Sequence, residues 1–124
     1  MSYGLFTGPR DVLIDEARTN FPRAVLLREV MLAFGDARAP IWASEYGWMS
    51  LPSDWDGEPG IWGNHSIEDQ AAWTVDGIRR AREQWPWMPN ITIWASRWPD
   101  DPDPRDPTPF FRLMDKDFTP RPNL

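Results

Sequence analysis

Residues 40–48 read PIWASEYGW, and the reading of that stretch decides the fold. It carries no charge until Glu45 and is apolar on both faces, the pattern of a parallel strand covered by layers on each side. A carboxylate that closes such a run is costly unless it is paired or used. Here it is followed at once by Tyr46, Gly47 and Trp48. By the two-residue period of a strand, Ile41, Ala43 and Glu45 share a face, with the small Ala43 beneath the acid.

Upstream, Asn20 is placed to cap a helix, Pro22 falls in its first turn, and Leu27, Val30, Met31 and Phe34 recur at helical spacing. The prediction is a helix over about 21–34, stopped by Gly35 in a left-handed conformation. Before it, DVLIDEAR (11–18) reads as a short helix, and MSYGLFTGPRD (1–11) as a loop or the tail of a strand. Downstream comes a long loop, GWMSLPSDWDGEPGIWGNH (47–65), and then the strongest helical segment, SIEDQAAWTVDGIRRAREQW (66–85). Ser66 and Asp69 approximate a capping box, Ile67, Ala71, Val75, Ile78 and Trp85 mark an apolar face, and Arg79, Arg80 and Arg82 complement the helix dipole. Pro86 and Pro89 end it. NITIWAS (90–96) is a second apolar strand, followed by the proline- and acid-rich loop RWPDDPDPRDPTP (97–109). Trp42 and Trp73 are expected in the core.

Long loops therefore follow the strands, while the helix-to-strand turns GDARAP and PWMPN are short. That asymmetry is the trait of a βα-barrel, whose sites are built from the loops after its strands. The expected class is α/β, with 1–124 as one segment and no internal repeat.

Composition narrows the chemistry. The 124 residues suit one modest domain or part of a larger one, and their net charge of −6 argues against binding to phosphate backbones. No cysteine is present, so disulfides and thiolate metal sites are excluded. His65 is the single histidine and makes a metal centre improbable on chemistry alone, so neither metal nor cofactor is expected. No run approaches the ~20 apolar residues of a membrane helix, and residues 1–20 lack a signal-peptide pattern; the compartment stays open. The 9 tryptophans among 14 prolines suggest either deep packing or flat surfaces for ring-shaped ligands. Asp100 to Asp106 matches a calcium loop in composition only, since it lacks the glycine and the closing glutamate.

The motifs also carry a resemblance. PIWASEYGW resembles the seventh-strand motif of retaining glycoside hydrolases built on the eight-stranded barrel, the clan that includes cellulase family 5. NITIWASRW resembles the eighth strand of that clan. SYG (2–4) resembles the end of the sixth strand, and PFFRLMDKDFTPRP (109–122) the closing segment. The resemblance spans roughly 2–122 and is most specific in 40–48 and 91–98. It implies a partial (β/α) TIM barrel of about the last three βα units, cut at both ends, acting on a carbohydrate substrate.

On that resemblance Glu45 is the nucleophile, Tyr3 hydrogen-bonds it, Trp94 floors the sugar, and Trp48 and Trp98 add substrate contacts, with Trp55 and Trp62 at the rim. A retaining enzyme also needs an acid/base carboxylate ~5–5.5 Å from the nucleophile. The clan places it after an asparagine on the fourth strand, and nothing in this sequence matches that motif. Asp54, Asp56 and Glu58 sit in a Gly/Pro loop and take no role. The rival expectation is accordingly a non-catalytic carbohydrate-binding or assembly piece. It would pair with missing barrel strands or with itself through open strand edges.

Overall fold

The computed structural model describes residues 2–3 (backbone), 7–98 and 103–124. Three parallel strands, β1 (Ser2–Tyr3), β2 (Trp42–Gly47) and β3 (Asn90–Ile93), form one sheet in the order β1-β2-β3. A short 3-10 turn (Phe21–Arg23) leads into helix α1 (Ala24–Ala33) before β2, and helix α2 (Ile67–Gln84) connects β2 to β3. A second 3-10 turn covers Thr108–Phe111.

The ends of α1 follow from its flanking residues. Pro22 occupies the first turn, where its missing N–H costs nothing. At the other end Gly35 takes φ +80°, and the N–H groups of Asp36 and Gly35 donate to Met31 O (2.8 Å) and Leu32 O (3.1 Å). These are the two bonds of a Schellman stop. Arg28 then staples the turn into β2 through the carbonyls of Ala37 (2.6 Å) and Ala39 (3.0 Å). At α2, Ser66 Oγ accepts from Asp69 N–H at 3.0 Å, as its N-cap position requires.

The segment 11–18 is not helical. Asp11 and Asp15 accept from the N–H groups two residues on, Leu13 (3.0 Å) and Ala17 (2.8 Å), and these local turns displace the helical pattern. Asn20 Nδ2 donates to Asp11 (2.8 Å) and Leu13 O (2.8 Å), and Arg80 reaches over to the carbonyls of Pro9 and Asp11. Partial burial lowers the Arg80 pKa from its usual value, against the pull of Asp11.

The core lies between β2 and α2. Phe21, Ala43, Tyr46, Trp48, Ala81, Trp85 and Met88 are buried together, with Phe21 at the centre of ring contacts to Trp85 (4.9 Å), Tyr46 (5.6 Å) and Trp48 (5.9 Å). The side of α2 that meets them is not the expected apolar stripe. Its buried residues are Gln70, Thr74, Gly77 and Ala81, while Val75 and Ile78 are exposed. Small residues win because the Tyr46 ring rises into the helix. Its hydroxyl donates toward Thr74 O (2.7 Å) and Trp73 O (3.0 Å), and a Cβ at Gly77 would collide with it.

Two tryptophans trade the places expected of them. Trp42 is 69 % exposed and stands outside the core, while Trp48 is buried. The strand pairing shows one cause: β2 advances from Ala43 to Tyr46 while β3 advances only from Ile91 to Ile93. This bulge puts an extra residue in β2. Ala43 and Tyr46 consequently join the same core cluster, and the strict alternation that grouped Ile41, Ala43 and Glu45 does not hold.

Candidate functional site

The carboxyl ends of the strands carry the residues singled out above. Glu45 sits in the bulged part of β2 and is half-buried. The next residue, Tyr46, accepts through its carbonyl from Trp94 N–H at 2.8 Å, so the strand end that bears Glu45 is tied to the one that bears Trp94. Gly47 makes the approach possible: a Cβ there would stand 2.9 Å from Trp94 O and 3.3 Å from the Phe111 ring. The Trp94–Ala95 peptide is cis. Tyr3 pairs with Gly47 in register from the other side, and its side chain lies outside the described residues.

The expected substrate contact at Trp48 is corrected. Its ring is enclosed by Phe21, Tyr46 (5.2 Å) and Trp73 (6.0 Å), 1 % of it is exposed, and its Nε1–H donates to Thr7 O at 2.9 Å. With both faces covered it has no surface for a sugar. Trp94 and Trp98 are half-buried and meet edge to face at 5.7 Å. Trp62 packs on Phe111 (5.6 Å) and Trp55 on Phe110 (5.1 Å).

The loops after β2 and β3 form one body, which the sequence did not reveal. Gln70 is fully buried on α2, and its side-chain amide nitrogen, Nε2, donates to Trp48 O (2.7 Å) in the first loop and to Phe110 O (2.9 Å) in the second. Glu58 and Arg105 join the same loops twice, by side-chain ion pair (2.8 Å) and by backbone N–H to carbonyl (2.9 Å). The signal for Gln70 was a long polar residue in the first turns of a helix that follows a long loop. Further on, Arg112 binds Asp115 through Nε (2.9 Å) and Nη2 (2.7 Å), and Arg121 stands 3.6 Å from the same oxygen. Desolvation and the neighbouring Arg112 lower the Arg121 pKa. Among the described residues no group of three or more His, Asp or Glu side chains is placed to hold a metal ion, and no helix is long and apolar enough to cross a membrane.

Comparison with solved structures shows what this arrangement is similar to. The β-glucuronidase of Bifidobacterium dentium, solved in complex with coumarin-3-O-glucuronide, superposes on 80 % of this chain with a TM-score of 0.50 at 16 % identity. The chain covers 16 % of that protein's length, so the shared fold is one part of a much larger glycoside hydrolase. No family model matches the chain, and no curated protein matches it.

Proposed function

We propose that the chain is the part of a retaining glycoside hydrolase barrel that carries its last three βα units, acting on β-linked sugars with Glu45 as nucleophile. One observation supports the reading: the hydrogen bond from Trp94 N–H to Tyr46 O ties together the backbones of the two neighbouring parallel strand ends that bear Glu45 and Trp94. Those two groups are part of what displacement at an anomeric carbon uses, an anion to attack and an apolar plate beneath the ring, and the acid/base carboxylate would come from elsewhere in the barrel. The fold shared with part of a β-glucuronidase supports the same reading.

The test is hydrolysis of aryl β-glycosides by the chain and by Glu45→Gln. Turnover that falls about 10³-fold or more in the variant supports the assignment. Turnover unchanged by the substitution removes Glu45 from the chemistry.

A second reading is favoured by a specific feature. Of the three strands, with sequences SY, WASEYG and NITI, only β2 carries a carboxylate, so the acid/base partner is not supplied by this sheet. In this reading the chain holds carbohydrate without cleaving it. No turnover, together with retention on insoluble polysaccharide, would support this alternative.

A further inference from the structure

A cavity of about 540 Å³ opens beside Trp98, walled by Trp55 from the loop after β2 and by Phe110, Arg112 and Asp115 from the carboxyl-terminal segment. Neither Glu45 nor Trp94 lines it. We propose that this cavity is a separate binding site for one unit of a neutral oligosaccharide, and that it disfavours acidic sugars.

The cavity has the size of a small-molecule site. Its aromatic walls are held in place before any ligand arrives. The Trp55 indole donates from Nε1 to Glu58 O at 3.0 Å and lies across Gly57, where a Cβ would run into the ring. Its edge-to-face contact with Phe110 fixes the second wall, and the Arg112 guanidinium, 5.1 Å from the Phe110 centroid, backs it. Fixed flat rings lose little freedom on binding, which favours stacking on the C–H faces of a sugar. The site is also continuous with the candidate catalytic region, because Trp98 stands edge to face with Trp94.

Charge sets the selectivity. Among the described residues, four carboxylates, Asp103, Asp106, Asp115 and Asp117, line the cavity against two cations, Arg112 and Lys116. Arg112 and Asp115 pair with each other, and Arg112 also donates to Pro109 O (3.0 Å), so the remaining described lining holds Asp103, Asp106 and Asp117 against Lys116. Carboxylates at such a rim accept hydrogen bonds from hydroxyls and repel a uronate. The class of ligand rests on the glycoside-handling reading above, whereas the site itself is independent of Glu45.

The experiment follows the indole N–H signals of the full chain by NMR during titration with cellotetraose, xylotetraose and laminaritetraose in turn. The expected result is that at least one shifts the Trp55 and Trp98 signals while the core Trp48 signal stays fixed. Trp55→Ala should weaken that binding at least about tenfold and Trp55→Phe by less, with Trp48 reporting an intact fold in each. Tetragalacturonate should bind at least about tenfold more weakly at low salt, the gap narrowing as salt screens the carboxylates. The proposal is overturned if no probe moves Trp55 or Trp98, if Trp55→Ala leaves affinity unchanged, or if the uronate binds as tightly. Glu45-dependent hydrolysis with no shift at Trp55 would remove only this site. Shifts at Trp55 without such hydrolysis would keep the site and reject the nucleophile.

Discussion

The two helices invert the usual relation between composition and burial. In α1, AVLLREVMLA, only Arg28 and Glu29 are charged, yet none of its residues is buried. In α2, crowded with acids and arginines, Gln70, Thr74, Gly77 and Ala81 are sealed against the sheet. What sets α2 apart is the Tyr46 ring beneath it, with which a Cβ at Gly77 would collide. A sheet that raises Tyr46 and Trp48 toward a helix leaves room only for small or hydrogen-bonding side chains, so the buried stripe of α2 is small and polar. The apolar side chains of α1, including Leu27, Val30 and Leu32, stay in contact with solvent.

The comparison can be broken at its tightest point. Gly77→Val forces the Tyr46 ring out from under α2 and should destabilise the fold by about 3 kcal/mol or more, read from urea denaturation. A loss below about 1 kcal/mol would mean the helix simply rides outward and the close approach is unimportant. Next in size is Gln70→Leu, which leaves the Trp48 and Phe110 carbonyls without their donor, for about 2 kcal/mol.

Tyr46→Phe should cost about 1–2 kcal/mol at neutral pH and also change the pH profile. Burial raises the Tyr46 pKa far above its ordinary value. The folded chain therefore keeps the neutral phenol, while the unfolded chain ionises it near pH 10. The contribution is complete below that pH and is lost as pH climbs above it. Denaturation midpoints between pH 9 and pH 11 should fall in the wild type, and fall less in Tyr46→Phe. The smallest effect is expected on the other helix: Val30→Ser should change stability by less than about 0.5 kcal/mol, because its side chain is already 54 % exposed. A cost of 2 kcal/mol there would show that α1 is covered in solution.

Local signals were legible where the chemistry is local. Gly35 and Ser66 marked a helix stop and a helix start, Pro22 marked the 3-10 turn that leads into α1, and the runs at 41–47 and 90–93 marked two strands, whereas Asn20 makes no side-chain cap bond and gives its amide to Asp11 and Leu13 instead. What escaped depends on partners distant in the chain. The alternation argument for Glu45 assumed an unbroken strand, and the bulge opposite β3 is a property of the pair. Trp42 and Trp48 look equally apolar in sequence, and which one is enclosed depends on the bulge in β2 and on Phe21, Tyr46 and Trp73, which close around Trp48. The helix expected over 11–18 failed because Asp11 and Asp15 satisfy nearby N–H groups themselves and Arg80, from a different element, holds the carbonyls. The ordered motifs pointed to Glu45 and Trp94, and the structure links the backbones of their strand ends. Trp98 and Trp55 were named from the motifs, but that they wall a cavity together with Phe110 and Arg112 depends on contacts between distant loops.

The amide of Gln70 has one more consequence. Because a single enclosed side chain holds a carbonyl from each of the two loops, neither loop can be exchanged for one of another length without disturbing its neighbour. Grafting experiments, and natural drift in specificity, would have to replace the two as a matched set.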